Sequence, residues 1–309
     1  MLQTITKQPI TIYQPGLEKI IGMVVDALDS PASKRIYRMS LTEFLAWYVN
    51  EGQPQLSAAV VKKYKAELQA AGMKAASVNI RLVAIRRLAV EAVDNAVLDE
   101  QYLSGIQRIK GMRAFVTRTG NWLSKEDAQR LINSPDQATI KGIRDRAVLA
   151  LLIGCGLRRT ECATLEFRHI QYRDGRWVIL DMTGKGAKVR TVPMPAWAKA
   201  AVDKWALSAG LSTGRIFREL SRTGRIIREE LTPQGIRNIV NLYGRKLSLT
   251  VAPHDCRRTC AKLAHKGGAG LEQIQLMLGH ASLMTTERYL GVKQNLTDAP
   301  CDHLGLDLN

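Results

Sequence analysis

The sequence has no uninterrupted apolar run long enough to span a bilayer, no signal peptide and no lipidation motif. These absences argue against an integral membrane protein and against a secreted one. Cysteine is also scarce. The five cysteines are an odd number and lack the spacing of a disulfide scaffold. Reduced thiols of this kind are typical of the cytoplasm, where a buried cysteine behaves as a small hydrophobic residue. We therefore expect a cytoplasmic protein.

Acidic residues are few relative to basic ones. The chain has 28 Asp and Glu against 45 Lys and Arg, which gives a net charge of +17. Such an excess favours a polyanionic partner, of which nucleic acid is the commonest and an anionic membrane the alternative. With 309 residues, 46% of them hydrophobic, the chain can form two domains that each bury a core.

A metal site is only weakly indicated. His254, Cys256, Cys260 and His265 lie close together in the sequence and could be read as a zinc cluster. Their spacing, however, matches no CxxC-type zinc knuckle. We expect neither a metal ion nor a cofactor.

The first part of the chain predicts a bundle of helices. Apolar residues recur at helical spacing in residues 17–28, 33–49, 57–72 and 77–93, and a shorter helix is predicted near residues 101–108. Basic side chains lie along the edges of these helices, so the bundle is either a protein-interaction module or a DNA-binding domain. If it binds DNA, the candidate contacts, mostly to phosphate, are Lys62, Lys63, Lys65, Arg81, Arg86 and Arg87.

Residues 113–121 mix glycine, basic and hydroxyl residues without periodicity, and this composition predicts a linker. We therefore place an N-terminal helical domain at residues 1–112 and a second domain at residues 122–309. Ser124, with Asp127 three residues later, predicts the start of a helix. Further on, the pattern alternates around a hairpin turn at Asp174 and Gly175. The expected fold class is mainly α with a small antiparallel β-sheet (α+β).

Residues 253–291 are the stretch around which the rest of the chain is organised. His254 and Arg257 come after Pro253, a residue suited to the first turn of a helix, and their spacing places both on one helical face. A His-x-x-Arg pair alone is common on solvated helices. Its chemical meaning therefore depends on the residues that come after it in the chain.

A short helix is predicted at residues 271–278, where apolar residues recur at helical spacing and Gly279 is suited to a left-handed cap. His280 comes directly after the cap, and Tyr289 lies nine residues later on another short helical run. The order H-x-x-R, L-G-H and then Tyr resembles the C-terminal signature of the tyrosine recombinase (phage integrase) family. The resemblance implies that His254, Arg257 and His280 are catalytic and that Tyr289 is the nucleophile.

Two further motifs resemble those of the same family. In G-L-R-x-x-E the resemblance gives Arg158 the catalytic place and Glu161 a supporting one, with Arg159 as the adjacent alternative. In the G-K-G hairpin it makes Lys185 the proton donor to the leaving 5′ oxygen. Lys188 and Arg190 are near enough in sequence to remain alternatives to Lys185.

The resemblance implies a site-specific recombinase that cleaves and rejoins DNA through a 3′-phosphotyrosyl intermediate, without metal or ATP. Its N-terminal domain would be a core-binding domain, and its substrate double-stranded DNA with inverted-repeat core sites. The protein would be a monomer in free solution and a homotetramer on paired sites, with the tail after Gly291 docked on a neighbouring subunit. About 110 residues before the linker leave little room for an additional DNA-binding domain. The alternatives are a DNA-binding protein that does not cut and a monomeric type IB topoisomerase.

Overall fold

The structure is a computed structural model that describes residues 17–113, 121–183, 189–280 and 282–290. The chain divides into two compact units, residues 1–117 and 118–309. Most of the predicted linker, Lys185, Lys188 and the tail after Leu290 lie outside the described residues. The predicted limits of the linker therefore stay predictions.

The described part of the first unit consists of five helices. They are α1 (Leu17–Asp26), α2 (Pro31–Asn50), α3 (Ala58–Ala70), α4 (Ala75–Asp94) and α5 (Glu100–Gln107). Side chains just before two of them satisfy helix N–H groups, because the Asp99 carboxylate accepts from Gln101 N at 3.0 Å and Ser30 Oγ accepts from Ser33 N at 3.5 Å. The helices predicted from periodicity are confirmed, with ends shifted by a few residues.

The core of the first unit is formed by one apolar stripe from each helix. Phe44 of α2 is fully buried, and its ring meets that of Tyr64 of α3 edge to face at 5.1 Å between centroids. Leu82, Ile85 and Leu88 bring the stripe of α4 into the same cluster. Full burial of side chains of this size stabilises the fold by about 1.5 to 3 kcal/mol each, so this unit has a core of its own.

The second unit contains helices and two small antiparallel sheets. Its helices are α6 (Lys125–Asn133), α7 (Ile140–Gly154), α8 (Arg159–Thr164), α9 (Ala196–Ala209), α10 (Pro233–Lys246), α11 (Pro253–Lys266), α12 (Leu271–Leu278) and α13 (Leu283–Leu290). Its strands are β1 (Ile170–Arg173), β2 (Arg176–Thr183), β3 (Val189–Pro193), β4 (Glu219–Leu220) and β5 (Ile226–Arg228). The expected fold class, mainly α with a small antiparallel sheet, is confirmed.

Helix α7 lies at the centre of the second unit. It packs against α6, α9 and α11, and its residues from Ala147 to Leu152 are fully buried. The Ser124 hydroxyl accepts from Asp127 N at 3.0 Å at the start of α6, as the sequence predicted. A buried central helix gives the surrounding elements a rigid support.

The first sheet has the strand order β1-β2-β3, and consecutive strands are antiparallel. Asp174 and Gly175 join β1 to β2 with φ values of +48° and +76°, the left-handed pair that a type I′ hairpin turn requires. The predicted hairpin turn is therefore confirmed. Within the described ranges, no helix is long and apolar enough to cross a membrane.

Candidate active site

An open cleft of about 390 Å³ lies on the second unit where α8, α10 and α11 begin. The residues lining it are Arg158, Arg159, Thr160, Arg237, Ala252, Pro253, His254 and Arg257. The cleft thus brings Arg158 together with His254 and Arg257, two predicted catalytic residues that lie about a hundred positions further along the chain. Four arginines give it a strongly cationic lining, which suits an anionic ligand.

Arg158 is held at the start of α8 by Glu161. The Glu161 carboxylate accepts the backbone N–H of Arg158 at 2.7 Å and its Nη1 at 2.7 Å. The Arg158 side chain keeps 30% of its surface exposed, whereas Glu161 is buried. Arg158 is therefore anchored by Glu161, while part of its side chain remains exposed where it lines the cleft.

Glu161 also binds a second arginine, Arg190 of β3. Arg190 donates to both carboxylate oxygens, Nη1 to Oε1 at 3.0 Å and Nη2 to Oε2 at 2.8 Å, and its Nε donates to the carbonyl of Met277 in α12 at 2.9 Å. Burial alone would raise the pKa of Glu161, but the hydrogen bonds from Arg190 and Arg158 outweigh it and lower the pKa to about 2. Glu161 is therefore a buried carboxylate shared by two arginines, rather than half of a solvated pair.

Arg257 reaches the cleft from inside the protein. It lies on α11, is 1% exposed, and donates from Nη1 to the carbonyl of Gly156 at 2.6 Å and from Nη2 to that of Leu278. Gly156 has φ of +60°, and a Cβ there would come within 2.9 Å of the Leu278 side chain, so the position requires glycine. Arg257 thus joins the loop before Arg158 to the end of α12.

His254 lies on the first turn of α11 and is exposed at the cleft. Partial removal of water from its ring, together with the positive charges of Arg258 and Arg257, lowers its pKa. Because a histidine with a lowered pKa is neutral near pH 7, His254 can accept a proton there.

His280 comes directly after the left-handed cap at Gly279, which has φ of +62° as the sequence predicted. Its backbone N–H donates to the carbonyl of Gln275 at 3.2 Å, and its Nδ1 lies 2.9 Å from Oγ1 of Thr286. Burial, followed by the positive charges of Arg257 and Arg158, lowers the pKa of His280 to about 4. The carbonyl of Leu278, two residues before His280, accepts from Arg257, so the backbone next to His280 is joined to an arginine of the cleft.

The remaining two predicted catalytic residues are only partly located. Tyr289 lies on α13, but its side chain is outside the described atoms, and Lys185 lies outside the described residues. α13 packs against α11 and α12, the two elements that carry or precede His254, Arg257 and His280. The catalytic roles of all six residues stay predictions.

The cysteines near the cleft are buried thiols. Burial raises the pKa of Cys256 and Cys260 to about 12, which keeps both thiols protonated near pH 7. Across residues 17–113, 121–183, 189–280 and 282–290, no group of three or more His, Cys, Asp or Glu could hold a metal ion. The zinc alternative therefore gains no geometric support.

Three of the predicted DNA contacts in the first unit are buried or half-buried, and each donates to another group of the protein. Arg81 is buried and donates from Nε and Nη2 to the carboxylate of Glu43, with an Nε distance of 3.1 Å. Arg86 donates to the carbonyl of Ile109, and Lys65 donates to the carbonyl of Lys110 at 2.9 Å. We withdraw Arg81 as a DNA contact because its charge is buried and already neutralised.

The other three predicted contacts lie on the surface. Lys63 forms an ion pair with Glu51 and keeps 58% of its side chain exposed. The Arg87 guanidinium lies 5.6 Å from the centroid of the Tyr37 ring, and both Arg87 and Lys62 are exposed. Lys62 and Arg87 are the strongest remaining candidates for phosphate contact in this unit.

Sequence reasoning missed Arg237 and Thr286 and gave Arg190 a different role. Arg237 is exposed on α10 and lines the cleft, while Thr286 is completely buried beside His280. No local pattern distinguishes either residue from its neighbours, because each depends on a contact with a distant element. The sequence leaves Arg190 as an alternative to Lys185, but the Arg190 guanidinium is occupied by Glu161 and Met277.

Comparison with known proteins gives family matches in both units. The description "Phage integrase family" matches residues 121–295, and "Phage integrase, N-terminal SAM-like domain" matches residues 26–95. The tyrosine recombinase XerC of Myxococcus xanthus is 36% identical over 175 residues, which cover 55% of this chain and 57% of the relative. The chain thus spans little more than half the length of that relative. The tyrosine recombinase XerA of Pyrococcus furiosus is 30% identical over 260 residues, 84% of each chain.

Two solved structures share the fold. The XerH site-specific recombinase bound to a palindromic difH substrate has a TM-score of 0.68 at 19% identity, covering 91% of this chain and 82% of its own. A lambda integrase dimer bound to a COC' core site has a TM-score of 0.68 at 14% identity, covering 89% and 93%. At these identities the likeness shows the fold alone. From the family match and the relatives, the chain belongs to the phage integrase (tyrosine recombinase) family.

Proposed function

We propose that the protein is a site-specific recombinase that cleaves and rejoins DNA through a phosphotyrosyl intermediate. The observation that carries this proposal is the shared cleft of Arg158, His254 and Arg257. Family membership supports the same reading, since the named relatives are tyrosine recombinases. An anionic group bound in this cleft would meet a lining that contains the guanidinium groups of Arg158 and Arg257, two further arginines and the neutral imidazole of His254.

The chemistry accounts for these residue types. The Tyr289 oxygen attacks a DNA phosphorus in line, which forms a bond to the 3′ phosphate and releases the 5′ oxygen. Arg158 and Arg257 stabilise the charge that develops on the non-bridging oxygens, and a single positioned donor of this kind is typically worth about 3 to 4 kcal/mol of barrier. His254 accepts the tyrosine proton and His280 donates to a phosphate oxygen, while Lys185 protonates the leaving 5′ oxygen.

The covalent link preserves the energy of the phosphodiester bond. Attack by the free 5′-OH on the phosphotyrosine reverses the first step, and Tyr289 leaves with its proton restored. ATP is therefore not required for rejoining. Because the arginines supply the positive charge, the proposed mechanism assigns no step to a metal ion.

The proposed substrate is double-stranded DNA with inverted-repeat core sites, bound in the cytoplasm by a protein that assembles as a homotetramer on paired sites. The net charge of +17 supports a polyanionic partner. Structures that share the fold include XerH on its difH substrate and a lambda integrase tetramer bound to a Holliday junction, the latter with a TM-score of 0.67.

The covalent step is tested with a nicked duplex whose cleaved end can diffuse away, built on a core site selected by binding. In EDTA and without ATP, the protein should become linked through Tyr289 to a 3′ phosphate. Tyr289→Phe should still bind this DNA but form no adduct. Tyr172→Phe is the matched control, because Tyr172 is an exposed residue on β1 and should form the adduct at the parent rate.

Three outcomes would contradict the proposal. An adduct with the Tyr289→Phe variant would assign the nucleophile elsewhere, and loss of the adduct in EDTA would show that a metal is required. Binding without any adduct would favour the DNA-binding protein that does not cut. A topoisomerase would instead relax a supercoiled plasmid that lacks core sites, which a site-specific recombinase should not do.

A further inference from the structure

Thr286 is a completely buried threonine whose hydroxyl meets the ring of His280. Its Oγ1 lies 2.9 Å from Nδ1 of His280, although the two residues belong to different elements, α13 and the end of α12. The backbone of His280 is held as well, because its N–H donates to Gln275 O at 3.2 Å and its carbonyl accepts from Gln275 Nε2 at 3.2 Å. Backbone and ring are therefore both oriented by hydrogen bonds.

The two ring nitrogens of His280 have different tasks. A neutral imidazole carries one proton, so one nitrogen donates a hydrogen bond and the other accepts one. Burial and the nearby arginines lower the pKa of His280 to about 4, so the ring is neutral near pH 7. A neutral ring donates through Nε2 only if Nδ1 lacks the proton. The group next to Nδ1 therefore decides which nitrogen can donate.

We propose that Thr286 is a positioning residue for His280: its hydroxyl donates to Nδ1 and holds the ring in the form protonated at Nε2. This inference rests on the proposed function, in which His280 donates a hydrogen bond to a phosphate oxygen. Thr286 also lies three residues before Tyr289 on α13. The same hydrogen bond therefore connects the helix of the nucleophile to the segment that carries His280.

The hydrogen bond is tested first in the free protein, by nitrogen NMR of histidine side chains near pH 7. The His280 signals are identified by their loss in His280→Gln. The wild-type ring should be protonated at Nε2, and Thr286→Ser, which retains the hydroxyl, should preserve that state. Thr286→Val has nearly the same volume but no hydroxyl, and it should shift the ring toward the form protonated at Nδ1. A wild-type ring protonated at Nδ1, or a Val variant indistinguishable from wild type, would overturn the proposal.

The consequence for catalysis is tested by single-turnover adduct formation on the nicked duplex. Thr286→Val should slow the reaction by about tenfold or more, the scale expected when a reacting group loses its orientation, while DNA affinity stays unchanged. Thr286→Ser should restore most of the rate. In a His280→Gln background, the Val substitution should have no further effect, because the residue that it positions is absent.

These measurements separate the two proposals. A further loss of rate in the His280→Gln background would mean that Thr286 acts on the fold rather than through His280, and this would refute the positioning role. A wild-type rate for Thr286→Val would refute it too. If no Tyr289 adduct forms at all, the proposed function fails, whereas the NMR comparison still decides whether Thr286 sets the protonation state of His280.

Discussion

Arg158 and Arg257 line the same cleft, but Arg158 is partly exposed and Arg257 is buried. This difference in burial predicts that the two substitutions to alanine lower the free energy of unfolding by different amounts. Arg158→Ala and Arg257→Ala should each slow adduct formation by about a hundredfold or more, because each loses one donor to the developing charge. Arg257→Ala should also lower the free energy of unfolding by about 2 to 4 kcal/mol, since it leaves two interior carbonyls, those of Gly156 and Leu278, without their donor. Arg158 is partly exposed, so its removal should cost about 1 kcal/mol.

Denaturant unfolding of both variants, measured beside the adduct rates, checks this contrast. Equal losses of stability would show that the hydrogen bonds of Arg257 to the backbone contribute little to the fold. A normal adduct rate in either variant would remove that arginine from the proposed mechanism.

The lowered pKa of His280 predicts that the stability of the protein depends on pH. Its pKa in the folded protein is about 4, below the ordinary value of 6.5, so the unfolded chain binds more protons between these two pH values. The free energy of unfolding should therefore fall as the pH drops from about 6.5 to about 4. His254, whose pKa is also lowered, acts in the same direction.

Denaturant unfolding at a series of pH values measures this slope. His280→Gln should reduce the slope in that window, because the substituted residue does not titrate. A slope that is unchanged in His280→Gln would contradict the assigned pKa.

At the scale of elements, Glu161 and Arg190 join three parts of the second unit. Glu161 belongs to α8, Arg190 to β3, and the Nε of Arg190 donates to the last turn of α12. Removing one partner of a buried ion pair leaves the other charge uncompensated, which typically costs about 3 to 5 kcal/mol. We therefore expect Glu161→Gln to lower the free energy of unfolding by this amount, and Arg190→Met to lower it by less, because Arg158 still pairs with Glu161 in that variant.

The double variant distinguishes an ion pair from two separate effects. If the two side chains stabilise each other, the combined loss should be smaller than the sum of the single losses by about 1 to 3 kcal/mol. The pair Lys199 and Asp203 on α9 is a control, since Asp203 is largely exposed and a surface pair should show a coupling below about 1 kcal/mol. Additive losses for Glu161 and Arg190 would contradict the joint role assigned to them.

Local signals in the sequence were sufficient to place the ends of several elements. Ser124 marked the start of α6, Asp174 and Gly175 the hairpin between β1 and β2, and Gly279 the end of α12. Each of these signals acts within a few residues, through a side-chain cap or a left-handed backbone conformation. Prediction from the sequence was therefore most accurate where the physical cause is local.

Contacts between distant residues were not predictable in this way. Arg81 is separated by 38 residues from its partner Glu43, so its place on a helix edge gave no sign that it is buried. Arg190 and Glu161 are 29 residues apart and belong to different elements. The resemblance to a family identified the catalytic candidates, but only the fold revealed the residues that hold them.

At the scale of the whole molecule, the net charge of +17 predicts binding to DNA that weakens steeply with salt. Each phosphate neutralised by a lysine or arginine releases counterions, and the slope of log affinity against log salt changes by about 1 per contact. Lys62 and Arg87 are the strongest exposed candidates on the first unit, because Lys63 is paired with Glu51 and Arg81 with Glu43. Lys62→Gln and Arg87→Gln should each reduce the slope by about 1.

The control must remove a positive charge that is already engaged within the protein. Lys199 fits, because its Nζ pairs with Asp203 at 2.6 Å and lies 3.9 Å from the centroid of the Trp177 ring. Lys199→Gln removes the same formal charge and should leave the slope unchanged, if the slope counts contacts rather than net charge. Equal reductions in all three variants would mean that DNA responds to the overall field of the protein. The first unit would then hold DNA without the specific phosphate contacts assigned to Lys62 and Arg87.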